Sequence, residues 1–184
     1  INEPNASYHL DHESKLLQML AYQIDGQQHQ TGTGTDFLQR LNEHNSLKSE
    51  LAEIGEVLQG RCKQRHQAIP GLEDTPLRLH AAYHIREILT ALNWLTPERR
   101  APFQAGVLAL SDRKTELLFV TLDKREGYHE RITYHDYAIS PERFHWQSQN
   151  SAGPDTKSGK RYIESFANGW SFQLFVRYAK GNPY

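Results

Sequence analysis

Ile132-Thr-Tyr-His-Asp-Tyr-Ala-Ile-Ser-Pro-Glu-Arg-Phe-His-Trp-Gln-Ser-Gln-Asn150 packs more aromatic, imidazole, amide and hydroxyl groups together than any other segment of the chain. It reads as two strands around a turn at Ser140-Pro141. Proline presets the φ angle favoured at the second position of a tight turn, and strand-forming residues flank it on both sides. Alternation places Tyr134 and Asp136 on one face of the first strand and His135 and Tyr137 on the other. In the second strand it separates Phe144 and Trp146 from His145 and Gln147. One face is expected to be core, which leaves the other rich in groups that both stack and hydrogen-bond.

On the C-terminal side, Asn150 to Gly159 is rich in Ser, Gly, Pro and Lys and reads as a mobile loop. Strands are expected at Arg161 to Phe166 and Trp170 to Tyr178, joined by an Asn168-Gly169 hairpin signal. In the last strand, Trp170, Phe172, Leu174, Val176 and Tyr178 share one face. On the N-terminal side, strands are expected at Gly106 to Leu110 and Glu116 to Leu122. A short helix carries Ile85, Ile88, Leu89 and Leu92 behind a His84 cap and ends near Leu95-Thr-Pro97. Ile69-Pro70-Gly71 and Thr75-Pro76 punctuate the chain before it.

The residues further upstream are helical in pattern. Leu16, Leu17, Leu20 and Ile24 form a stripe after an Asp11 cap, closed by Asp25-Gly26. Gly32-Thr-Gly-Thr35 leads into Phe37, Leu38 and Leu41, and Leu47, Leu51, Ile54 and Leu58 form a third stripe with Glu50, Glu53 and Glu56 on the polar side. The expected class is α+β: an N-terminal helical segment over residues 1 to 75, acting as connector or supporting bundle, then an aromatic-rich domain over 76 to 184. That domain is expected to be mostly antiparallel, with a curved or barrel-like sheet as one form of it.

A chain of 184 residues with a hydrophobic fraction of 38% can bury a real core in one domain or two. No apolar run reaches the ~18 residues of a membrane span, and no signal segment follows Ile1, so the chain reads as an excised piece of a longer cytoplasmic protein. Its one cysteine, Cys62, excludes an internal disulfide framework and a cysteine-rich zinc site. The net charge of −1 hides a division: residues 1 to 75 hold six Lys/Arg against eleven Asp/Glu, and residues 76 to 184 hold fifteen against eleven. Aromatics divide three against sixteen in the same direction. Only the second part has the basic, aromatic balance that suits nucleic acid.

The run Tyr134-x-Asp136-Tyr137-Ala138-Ile139-Ser140-Pro141, then Phe144-His145-Trp146-Gln147-Ser148-Gln149, Gly159-x-Arg161-Tyr162 and Leu174-Phe175-Val176-Arg177, resembles a domain of unknown function at the C-terminal end of many bacterial superfamily-two helicase proteins. The resemblance runs from about Leu79 to the end, and His80-x-x-Tyr83-x-x-x-Glu87-Ile88-Leu89 is similar to the segment that opens that domain. It implies a parent chain with helicase and phospholipase-D-type nuclease domains. It also implies a link to ATP-dependent type IV restriction of DNA carrying 5-methylcytosine.

The residues themselves carry no motor. Gly32-x-Gly34 lacks the following Gly-Lys-Ser/Thr of a phosphate loop. A metal nuclease needs a carboxylate, then Asp/Glu-x-Lys on a strand, so that two acids hold a metal and the lysine orients water. Glu98 with Asp112-Arg-Lys114 satisfies that pattern, but so does Asp155-Thr-Lys157 in a loop, so the pattern is cheap and no catalytic residue is assigned. Ten histidines include no zinc-binding pair on an expected helix, and no metal or other cofactor is expected.

The aromatic stretch is the stronger candidate. Tyr134, Tyr137 and Trp146 offer rings for a base to stack on; Asp136, Gln147 and Gln149 offer groups that read the edge of a flipped base. The alternative, that Tyr134, Phe144 and Trp146 are core, stays open at this stage. Lys157, Lys160 and Arg161 are the expected phosphate contacts. The resulting expectation is a non-catalytic DNA-recognition domain for double-stranded, modified DNA, serving the helicase and nuclease domains of its parent. The alternative is a protein-interaction module that docks on the motor without touching DNA.

Overall fold

Hydrophobic spacing, caps and turn residues place most elements where the sequence suggests. The computed structural model describes residues 12–24, 34–61, 67–95, 103, 105–124 and 135–184. Tyr134, Glu98, Cys62, the Asp11 cap, the Asp25-Gly26 stop and Gly32 lie outside the described residues. The chain has two compact units, Ile1–Pro102 and Phe103–Tyr184. The fold class is α+β.

In the first unit, α1 (His12–Ile24), α2 (Gly34–Glu43) and α3 (Asn45–Arg61) are followed by α4 (Ile85–Ala91). α1 packs on α2 and on α4. The faces differ from the expected ones: α1 buries Lys15, Gln18, Met19 and Ala21 and turns Leu16 and Leu20 outward. α3 likewise exposes Leu47, Ile54 and Val57. Helical periodicity identifies a stripe but does not say which neighbour, if any, will cover it.

The stretch before α4 is a structured part of this unit. Pro70-Gly71 forms a turn of type II character: Gly71 takes φ 81, which a residue with a Cβ rarely adopts, and the Leu72 N–H donates to the Ile69 carbonyl at 2.9 Å. Leu72 and Leu77 are fully buried beside Ile88, Leu89 and Ala91. At the start of α4, the His84 backbone N–H donates to Glu87 Oε2 at 2.7 Å, half of a capping box.

In the second unit, β1 (Val107–Leu110) and β2 (Thr115–Asp123) form a hairpin around a short 3₁₀ turn, closed by Lys114 in the left-handed region at φ 47. β5 (Ser171–Ala179) then pairs with β2 in parallel, giving the order β1-β2-β5. The expected antiparallel arrangement therefore holds for β1–β2 but not for the longest pairing. A parallel pair needs a long crossover. Here it contains a separate hairpin, β3 (Tyr137–Ser140) and β4 (Arg143–His145), and two short helices, α5 (Lys157–Ile163) and α6 (Ser165–Asn168). Among the described residues the sheets are open and no barrel closes.

β2 is buried from Thr115 to Thr121, as a central strand covered on both faces should be. On one face Phe119 stacks on Phe175 at 5.5 Å and receives the edges of Phe103 and Tyr184 at 5.4 and 5.3 Å. This cluster explains why Phe175 is the buried residue of β5, while Leu174 and Tyr178 on the face expected to be core are exposed. Two further expectations are corrected. The segment read as a strand, Arg161 to Phe166, is the end of α5 and the first half of α6, and Asn168-Gly169 is a helix stop, with Gly169 at φ 68, rather than a hairpin turn. Among the described residues, no helix is long and apolar enough to cross a membrane.

Candidate nucleic-acid interface

One acidic residue organises the second unit. Glu116 interrupts the apolar run of β2, with 0% exposure, and a buried carboxylate must be matched by charge and hydrogen bonds. Arg161 on α5 supplies both: its Nε donates to Glu116 Oε2 at 2.5 Å and its Nη2 to Oε1 at 3.0 Å. The Tyr162 hydroxyl donates to the same Oε1 at 2.9 Å. Arg161 also lies over the Trp170 ring at 4.7 Å. The hydrogen bonds to Glu116 hold the Arg161 pKa above its ordinary value. Burial, reinforced by the neighbouring Glu116, pushes the Tyr162 phenol up to about 12. Arg161, expected to meet phosphate, thus clamps a helix to a strand.

The segment before α5 is fixed by the same logic of satisfied polar groups. Thr156 caps the helix by accepting from the Gly159 N–H at 3.0 Å, and its own hydroxyl donates to the Gly153 carbonyl at 2.7 Å. Gly159 is buried so closely on this turn that a Cβ there would stand 1.9 Å from the Gly153 oxygen. The stretch read as a mobile loop is therefore a built turn that delivers Lys157 and Lys160, both exposed, on the first turns of α5.

The β3–β4 hairpin forms where Pro141 predicts it. Tyr137 pairs with His145 across the ladder, and their rings stack at 4.9 Å with 15° between planes. Both are exposed. His145 Nδ1 lies 2.8 Å from the His135 carbonyl, which fixes the imidazole. Asp136 points the other way: Oδ2 meets Lys124 Nζ at 2.8 Å, Oδ1 accepts from the Gln147 N–H at 2.9 Å, and the side chain is 6% exposed. Gln147 Oε1 in turn accepts from the His135 N–H at 3.2 Å. Asp136 and Gln147 thus form a brace at the open end of the hairpin.

Trp146 is half-buried and meets Tyr162 edge-on at 5.2 Å, tying the hairpin to α5; Tyr162 continues to Phe172 at 6.0 Å. Gln149 is half-buried, and its carbonyl accepts from the Ala152 N–H at 2.8 Å. Of the residues singled out in sequence, the structure brings Asp136 and Gln147 together, and joins Trp146 to Arg161 through Tyr162. Tyr137 stands apart, with its ring available. The partner that sequence reasoning missed is Glu116; a lone acid inside Thr-Glu-Leu-Leu-Phe-Val, three elements before a Gly-x-Arg-Tyr motif, is the signal that points to it.

The corner of α5 and α6 adds an exposed surface: Phe166 is 99% exposed and Ile163 is also exposed, while Lys114 Nζ reaches the Asn168 carbonyl at 3.3 Å beside them. Asp112 is exposed on the 3₁₀ turn and Asp155 is exposed ahead of α5. No group of acidic, His or Cys side chains among the described residues is arranged to hold a metal ion. A family model described as a domain of unknown function, DUF3427, matches residues 77–183. No curated protein and no solved structure matches the chain.

Proposed function

The chain belongs to the DUF3427 family, and from that premise we propose that its C-terminal unit is a non-catalytic DNA-recognition domain. In this reading it senses modified, 5-methylcytosine-type DNA for a parent protein that combines an ATP-dependent helicase with a nuclease. The observation that carries the proposal is the exposed, pre-stacked Tyr137–His145 pair on a hairpin whose open end is braced by Asp136 and Gln147. A ring held in place costs little further ordering when a base stacks on it. An extruded base would lie on Tyr137. Lys157 and Lys160 supply phosphate contacts, and Arg161 acts by positioning α5. Asp136 serves to fix the hairpin rather than to read a base edge, because both of its oxygens are engaged within the protein.

The experiment is a binding comparison by fluorescence anisotropy on matched duplexes, unmodified or carrying 5-methylcytosine, 5-hydroxymethylcytosine or phosphorothioate, across a salt series. Tightest binding to a cytosine-modified duplex, weakening as salt rises, is the expected result. Absence of binding to every duplex at low salt would remove the proposal.

A further inference from the structure

We infer that the outward face of α3 is a docking groove for a basic amphipathic helix. This rests on the first unit alone and is independent of the DNA reading. The first observation is an inversion of the usual burial order in α1: Lys15 and Gln18 are 4% and 5% exposed, while Leu16 and Leu20 are 46% and 40% exposed. α3 is exposed along most of its length, and its exposed residues include Leu47, Ile54 and Val57, at 39%, 53% and 54%. Exposed Leu47, half-buried Leu51 and exposed Ile54 follow i, i+4, i+7 spacing, so they lie along one line of the helix. A single exposed leucine needs no explanation, but an ordered stripe of them marks an interaction surface.

The occupant is set by shape and charge. Glu50, Glu53, Ile54 and Val57 line a shallow groove of about 350 Å³, so that two carboxylates and two apolar side chains border the same space. Glu56 continues the acidic flank on the same helix, whereas Lys48 is engaged with Asn42 Oδ1 at 2.8 Å. A second copy of α3 laid along this stripe would bring Glu50 and Glu53 near their own counterparts, and like charges at such contacts are unfavourable. A helix with leucine-type anchors at the same spacing and Lys or Arg along its flank meets both features. With seventeen residues, α3 is about 25 Å long, room for several turns of a partner.

The test uses the whole chain and two labelled helical peptides about twenty residues long, a length at which isolated helices become stable. Both carry the same leucine stripe; one is flanked by Lys and the other by Glu. The Lys-flanked peptide is expected to bind roughly tenfold tighter, the effect of a few exposed ion pairs, with the gap closing as salt rises. Binding should be lost in an Ile54→Ser, Val57→Ser chain that keeps its helical circular dichroism. In a Glu50→Lys, Glu53→Lys chain the preference should reverse, which tests the idea even where the serine variant unfolds. Failure of both peptides to bind, equal binding of the two, or an unreversed preference would overturn the inference. So would sedimentation of the free chain as a dimer that the serine variant abolishes, because the occupant would then be a second copy.

Discussion

At the scale of single residues, Glu116 has the largest consequences. Removing one member of a buried ion pair leaves the other uncompensated, at a cost of about 3 to 5 kcal/mol. Glu116→Leu should therefore lower the urea midpoint strongly, and Arg161→Met should do likewise. The double variant should recover part of that loss, because a matched apolar pair leaves no stranded charge. Additive losses in the double variant would mean that the two side chains act independently. Tyr162 gives a pH signature. Its folded-state pKa lies at about 12 against an ordinary value of 10.0, so the neutral phenol favours the folded state. That contribution is fully present below pH 10 and lost as pH rises through 12. Denaturant midpoints measured from neutral pH up to this range should fall more steeply in wild type than in Tyr162→Phe; parallel curves would place the phenol in open solvent. Little of this was legible in sequence. A glutamate inside an apolar strand signals a buried partner, yet its partner lies 45 residues away and becomes identifiable only when α5 is known to cross β2.

At the scale of elements, the sequence was most informative where local chemistry decides the outcome. Pro141 set the hairpin, Pro70-Gly71 the turn, His84 the start of α4, and the apolar run from Leu117 to Val120 the central strand. It was least informative where distant packing decides. Arg161, Tyr162, Ile163 and Phe166 look strand-like by composition, but the Thr156 cap and the clamp on Glu116 draw them into helices. The alternation in β5 was visible, but which face is covered depends on Phe103 and Phe119, both far away in sequence, and on Tyr184. Gly159 gives a sharp test at this scale. Alanine in a helix interior ordinarily gains about 1 kcal/mol over glycine, whereas here its Cβ would collide with the Gly153 carbonyl. Gly159→Ala should lower the melting temperature by several degrees and loosen the turn ahead of α5. A melting temperature equal to or above wild type would show that the turn is free to move.

At the scale of the whole molecule, the charge division and the aromatic content were legible from composition, but the division read at 75/76 falls inside the first unit, because the compact second unit begins at Phe103. The candidate reader was only partly legible: alternation separated Tyr137 from Asp136 but left open which face would be covered, and Asp136 and Arg161 are committed to internal contacts that no spacing rule reveals. Each phosphate contact contributes about 0.9 to the logarithmic salt slope, so Lys157→Ala with Lys160→Ala should flatten that slope by up to about 1.8. An unchanged slope would move the phosphate track elsewhere. The chain alone should neither hydrolyse ATP nor cut methylated plasmid with magnesium or manganese. Cleavage that disappears in Asp112→Ala would reverse that view. The most direct test is the ratio of dissociation constants for unmodified and 5-methylcytosine duplexes, measured for wild type and for Tyr137→Ala with its cooperative unfolding confirmed. The account predicts that Tyr137→Ala loses about 1 to 3 kcal/mol of affinity for the modified duplex, the usual worth of a base–aromatic stack, so that the ratio collapses toward one. A folded Tyr137→Ala chain that keeps both its affinity and its ratio would contradict it.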